Sequence, residues 1–337
     1  MKCGERMVAA FRGEKVDRIP LIENSIWWNL TVERWQKEGL PLNFKYTYDW
    51  RQQIELEEFF GLDIVGQLWI KPYTPETPWG KYGEGFAKDI DDYRKSARPA
   101  LFPSPEAVVD KDFISAMQKL RKEGKAATEL IISGPFWEPR EILGIEPHML
   151  SFYDQPDLYK EIVKDMLNWQ MKVFDYVFSQ LGFDFVTIAE DLSYNNGPMI
   201  GKDVFDEFIA PYYKKVVPVL KERGCFVTVD SDGNIELPIA WFNGVGVEGY
   251  HPLEKQAGMN VAELQKKFPK TAFLGNYDKM VMHKGESAMR GEFERLLPCL
   301  KNGRYILSVD HQTPPAVSYS DYQIYLKLLR EYAIKAF

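Results

Sequence analysis

DFVTIAEDLSYNNGPMIGKDVFDEFIAPYYKKVVPVLKERGCFVTVDSDG, residues 184–233, is the stretch whose reading decides the fold. It opens on a β-branched, apolar run, Asp184–Asp191, that ends in Glu190 and Asp191. An amphipathic stretch from Lys202 to Arg223 follows and stops at Gly224, the residue type that ends helices in the left-handed conformation. A second apolar run, Cys225–Gly233, then ends in Asp230, Asp232 and Gly233. Short apolar runs closed by polar and glycine clusters read as strands, and strand, helix and strand in succession imply parallel pairing.

Working outward, the same alternation predicts six more strands: Arg18–Asn24, Asp63–Ile70, Glu129–Pro135, Val245–His251, Thr271–Asp278 and Tyr305–His311. Helical patterns separate most of them. Pro156 and Asp157 open one that runs to Gly182, Asn260 and Glu263 form a capping-box pattern, and Gly285–Leu300 and Ser320–Ile334 close the chain. Eight units without a glycine-rich phosphate loop favour a closed (β/α)8 TIM barrel over a doubly wound sheet. Residues 24–62 and 71–128 exceed ordinary βα connections, are rich in Trp, Tyr and Pro, and are expected to roof the C-terminal mouth. No repeat or linker divides the chain, so residues 1–337 are expected to form a single domain.

Composition bounds the function. With 45% hydrophobic and 27% charged residues, a net charge of −7 and no long basic run, the chain lacks the footprint of a nucleic-acid binder or a membrane-surface protein. No apolar run reaches membrane-spanning length. Cys3, Cys225 and Cys299 have no metal-like spacing, and the start MKCGERMVAAFRGEK is no apolar leader, so a cytoplasmic protein without disulfides is expected.

Polar residues at the C-terminal ends of barrel strands face the catalytic mouth. Here those ends carry Glu23 and Asn24; Trp137 and Arg140 in GPFWEPR; Glu190 and Asp191; Asp230, Asp232 and Asn234; Glu248 and His251; Asn276 and Asp278; and Asp310 and His311. Taken singly, an Asp or Asn after a strand often caps the next helix. Asp230-Ser-Asp232-Gly-Asn234 begins like a calcium loop, but its glycine comes too early and the closing glutamate is missing. Glu263 belongs to its capping box, and His148 and His283 read as packing or surface histidines. Trp27, Trp28, Trp35, Trp69, Trp79 and Trp137 fall in the mouth and its roof and suggest an aromatic-walled pocket.

The segments ERMVAAFRGEKVDRIPL, AEDLSYNNGPMIG, VDSDGNI, GYHPLE, GNYDK and SVDHQTPP together resemble the uroporphyrinogen decarboxylase superfamily over nearly the full chain. That superfamily also contains zinc- and corrinoid-dependent methyltransferases. Its decarboxylases bind a polycarboxylate through an arginine-rich segment after the first strand, where this chain reads LIENSIWWNLTVERW. Its thiol-methylating zinc enzymes carry His-x-Cys after the fifth strand and Cys after the eighth, where this chain has Asp230-x-Asp232 and Asp310-His311. Zinc would thus lack thiolates; the sequence leaves open whether a metal binds, and Asp230, Asp232 and His311 would be its ligands.

The branch that the chain is similar to moves a methyl group from a small donor, such as an aryl methyl ether, to the cobalt of a corrinoid (cobalamin) held by a separate protein. The resemblance implies a corrinoid-protein partner, a methoxylated aromatic substrate and compatibility with a homodimer. It also implies a proton for the leaving oxygen, from His311 backed by Asp310, from Asp230 or from Glu190. Asn24, Trp27, Trp28, Trp69, Trp137, Arg140, Asp191, Tyr194, Asp232, Asn234, Glu248, His251, Asn276 and Asp278 would line the substrate and corrinoid site. Two alternatives stand beside this: a decarboxylase or lyase clamping its substrate through Arg140, and a non-catalytic barrel that binds a corrinoid or tetrapyrrole.

Overall fold

The computed structural model describes residues 1–25, 27–44, 49–77 and 83–336. Seven strands form one parallel sheet in chain order: β1 (Ile64–Ile70), β2 (Ala126–Ser133), β3 (Phe185–Ala189), β4 (Phe226–Asp230), β5 (Gly249–His251), β6 (Ala272–Tyr277) and β7 (Tyr305–Val309). Side chains alternate across the sheet, as strand geometry requires. Leu68, Leu130, Val186, Val227, Phe273 and Leu307 point outward into the large core shared with the helices. Val65, Ala127, Phe185, Phe226, Ala272 and Ile306 point inward at the N-terminal ends of the strands.

That inner layer is closed by helix α1 (Cys3–Arg12), which ends at Gly13 with φ of 67°. Phe11 enters the ring, stacking on Phe226 at 4.8 Å between centroids and meeting Phe185 edge-on at 5.4 Å. Its complete burial contributes about 1.5–3 kcal/mol. Arginines secure the same end. Asp63, just before β1, holds Arg6 at 3.2 Å and Arg18 at 2.6 Å, and Asp184, just before β3, holds Arg121 at 3.2 Å.

The expected first strand is corrected. Arg18–Asn24 crosses the gap between β7 and β1, so the sheet curls, but it makes no ladder with either edge. The Leu21 carbonyl accepts from the Asp63 N–H at 2.7 Å, while the N–H groups of Leu21 and Asn24 go to side chains, Asp63 Oδ2 at 2.9 Å and Ser308 Oγ at 3.0 Å. Pro20 has no N–H to give. The result is a curled seven-stranded α/β sheet of TIM-barrel type with a non-laddered segment in its seam.

Two boundaries move the site. β2 starts three residues before the expected Glu129, which places that carboxylate in mid-strand. β5 starts at Gly249, so Glu248 lies before the strand rather than at its C-terminal end. The insertions reach the mouth only in part. Helix α2 (Asn29–Lys37) packs on the loop after β7 through Thr31 Oγ1 to the Thr313 carbonyl and Trp35 Nε1 to the Val317 carbonyl. Helix α3 (Trp50–Phe60) packs beside β1 instead. Among the described residues, no helix is long and apolar enough to cross a membrane.

Candidate active site

A cavity of about 400 Å³ opens at the C-terminal ends of the strands. Its inner part is built from inward-facing positions of consecutive strands: Gln67 on β1, Glu129 on β2, Thr187 on β3, Asp230 on β4 and His251 on β5. Trp69 and Trp137 form walls, and Lys71, Asp191, Asp232 and His311 stand toward the opening.

Hydrogen bonds fix the floor. Glu129 accepts from Gln67 Nε2 at 2.8 Å and from the Thr187 hydroxyl. Thr187 also meets the Thr228 hydroxyl at 2.8 Å and His251 Nε2 at 3.3 Å, and Asn24 Nδ2 stands 3.1 Å from His251 Nδ1. Burial pushes Glu129 up to about 7, against the hydrogen bonds from Thr187 and Gln67 that favour its charged form. Burial drives His251 the other way, to about 4, so its ring is neutral.

The three aspartates crowd one another. Burial, then the charges of Asp191 and Asp232, raise Asp230 well above the ordinary carboxylate range. Burial and Asp232 raise Asp191 to about 6, although its carboxylate accepts the Asp232 N–H at 3.0 Å. His311 Nε2 lies 3.5 Å from Asp232 Oδ2. Burial opposes a charge on His311, but the hydrogen bond and charge of Asp232 outweigh it and raise the imidazole above its usual value.

Eight of the residues expected at the mouth therefore meet in one cavity: Asn24, Trp69, Trp137, Asp191, Asp230, Asp232, His251 and His311. The others do not line it. Glu190 turns behind β3, where its carboxylate accepts from the Tyr213 hydroxyl at 2.5 Å and from the N–H groups of Phe136 and Trp137 at 2.9 and 3.3 Å. Burial raises it to about 7, but it does not line the cavity. Asp310 is fully buried and binds the N–H groups of Lys255 at 2.9 Å and Lys279 at 3.2 Å. The partner of His311 is thus Asp232, not Asp310.

The remaining residues serve the scaffold. Asn276 donates to the carbonyls of Leu253 and Met259, Asp278 accepts the Met280 N–H as a cap, Asn234 donates to the Ala257 carbonyl, and Glu248 accepts the Val227 N–H. Trp27 is buried with its Nε1 on the Tyr322 hydroxyl at 3.0 Å. Trp28 and Tyr194 are exposed. Arg140 lies 4.1 Å over the Trp137 ring and reaches the Asp191 carbonyl at 3.4 Å, so it braces the wall from behind. Trp79 lies outside the described residues.

The sequence reading missed Gln67, Lys71, Glu129 and Thr187. The first and third carried a signal, since Gln67 is the single polar side chain in IVGQLWI and Glu129 the single charged one in AATELIIS, both at the inward parity. For a metal, the conditional set of Asp230, Asp232 and His311 does not converge. Asp230 faces His251 at 3.6 Å, Asp232 faces His311, and no group of three or more His, Cys, Asp or Glu among the described residues is arranged to hold an ion. Cys3 and Cys225 are buried at the opposite end, against the carbonyls of Ile64 and Phe183.

Residues 93–332, which supply most of the lining of this cavity at the C-terminal ends of a curled parallel sheet, match uroporphyrinogen decarboxylase (URO-D). The chain belongs to that family. Among solved structures, this URO-D family member is similar to a methyltransferase from Methanosarcina mazei, with a TM-score of 0.70 and 15% identity over 98% of this chain and 99% of that one. It is similar also to a Bacillus subtilis mannanase, with a TM-score of 0.50 and 12% identity over 94% and 88% of the two chains. At such identities the likeness shows a shared fold. No curated protein matches.

Proposed function

We propose that this URO-D family member is a methyltransferase that takes a methyl group from a small donor in the cavity and delivers it to a corrinoid carried by a separate protein in the cytoplasm. One observation carries the reading: an acid-rich, aromatic-walled cavity at the strand ends, with the His311–Asp232 pair near its opening. Its volume of about 400 Å³ falls within the ~300–1,000 Å³ of small-molecule sites.

For an aryl methyl ether, Trp69 and Trp137 hold the arene and the ether points outward. The carbon–oxygen bond breaks, its electron pair stays on oxygen, and that oxygen takes the proton from His311, which Asp232 keeps protonated. The methyl passes to the nucleophile that the partner's reduced corrinoid supplies. The decarboxylase reading finds less support. Lys71 is the only lysine or arginine lining the cavity among the described residues, and Arg140 is turned onto Trp137.

The test mixes the protein with reduced corrinoid protein and a panel of methyl donors and follows the cobalt absorption bands. Loss of the reduced form with gain of the methylated form supports the proposal. Absence of change with every donor overturns it.

A further inference from the structure

We infer that the methyl donor is a cation, an organic ammonium whose positive charge sits against Asp230, Asp191 and Glu129 while its body lies between Trp69 and Trp137. The inference rests on the methyltransferase reading and adds the charge class of the substrate.

The charges around the cavity do not balance. Four carboxylates line it, Glu129, Asp191, Asp230 and Asp232, against Lys71 and His311. Of these two cations, His311 is paired with Asp232, and Lys71 lies over the Tyr73 ring at 5.6 Å. Asp230 is the least satisfied. Among the described residues its nearest partner is His251 Nδ1 at 3.6 Å, beyond hydrogen-bond reach, on a ring that burial keeps neutral. By contrast, Asp63 is held by arginine, Glu190 by backbone N–H groups and the Tyr213 hydroxyl, and Asp310 by backbone N–H groups.

Asp230 is half-buried at the foot of the cavity; a carboxylate placed there without a counter-charge or a protein hydrogen bond is disfavoured in its ionised form, and a bound cation relieves that. The walls agree, because the face of tryptophan attracts organic ammonium ions as well as arenes. Burial and mutual repulsion favour the protonated forms of Glu129, Asp191 and Asp230; a cation draws them into the charged form, whereas an anionic donor gains no such attraction. Two kinds of molecule share the required chemistry: a methoxylated arene bearing an ammonium group, and a donor whose methyl is itself on a quaternary nitrogen. In the second, the carbon–nitrogen bond breaks with its electron pair left on nitrogen as a neutral amine, so no proton is needed.

The experiment measures binding to the full chain by tryptophan fluorescence with four probes: para-methoxyphenethylammonium, para-methoxytoluene, para-methoxyphenylacetate and tetramethylammonium. Methyl transfer to reduced corrinoid protein is followed in parallel. The ammonium arene should bind about tenfold or more tighter than the neutral arene, and the carboxylate weakest. Asp230→Asn should erase that preference. Asp191→Asn, at a position with φ of 45° that asparagine tolerates, should reduce it, with circular dichroism confirming the fold of both variants. Methylation by tetramethylammonium, independent of His311, assigns the cation to the quaternary class; methylation by the ammonium arene alone assigns it to the ether class. Equal or tighter binding of the neutral or anionic arene overturns the inference and leaves the methyltransferase reading standing. Selective cation binding without methyl transfer to the corrinoid from any donor supports the cation site and overturns that reading.

Discussion

The two ends of the curled sheet share the same strands, yet they are built to opposite specifications. At the N-terminal end the inward positions are Val65, Ala127, Phe185, Phe226, Ala272 and Ile306, sealed by Phe11, and the nearby carboxylates Asp63 and Asp184 are each answered by arginine. At the C-terminal end the inward positions are Gln67, Glu129, Thr187, Asp230 and His251, around a cavity with no arginine in its lining among the described residues. Strand alternation is the same throughout. The difference lies in which side chains occupy inward positions along each strand, and it separates a part that stabilises the fold from a part that leaves charge available for a ligand.

Breaking the N-terminal end should have the largest effect. Phe11→Ala removes a fully buried ring from the plug and should cost about 3–5 kcal/mol in denaturant unfolding. A variant that keeps cavity binding per folded molecule confirms that the ends are separable; one that unfolds normally but loses binding joins them.

Next comes the pH response of the cavity floor. Burial raises Glu129 from 4.5 to about 7 in the fold, so its contribution is fully present below 4.5 and is lost as pH rises through about 7. Glu129→Gln should remove that loss. Relative to wild type it should gain up to roughly 3 kcal/mol between pH 4.5 and pH 8, read from melting temperatures at the two ends of the range. A constant difference would show that Glu129 ionises normally.

His311→Ala should lower methyl transfer from an aryl ether by about a hundredfold, or roughly 2.7 kcal/mol in the barrier, with an unchanged melting temperature. A wild-type rate would move the proton donor elsewhere. Smallest should be Trp28→Ala and Tyr194→Ala, both exposed and outside the cavity lining. Each should shift stability and donor affinity by less than about 0.5 kcal/mol, which calorimetry can bound.

Much of this was legible in advance because it is local. Six of the eight expected strands overlap the observed ones closely, since an apolar run ended by a polar cluster is written within seven or eight residues. Arg18–Asn24 has the same apolar look, but Pro20 and the side chains of Asp63 and Ser308 replace the ladder, and their contribution cannot be seen from the segment alone. Glu129 was hidden by a boundary set three residues late.

The amino-acid sequence by itself determined the order of parallel units, the acidic and aromatic character of the strand ends, and the family. Only the tertiary structure decided which carboxylates remain open to a ligand. Glu190, Asp278 and Asp310 look like Asp191, Asp230 and Asp232 in sequence, each polar and each at or just past the end of a strand. The first three are claimed by N–H or hydroxyl groups, those on Glu190 and Asp310 coming from segments 23 to 55 residues away. Asp230 and Asp232 are left facing the cavity and its histidines, and Asp191 beside them. A carboxylate's partners are set by which donors the folded chain brings within about 3 Å, and that is a property of packing rather than of the local pattern.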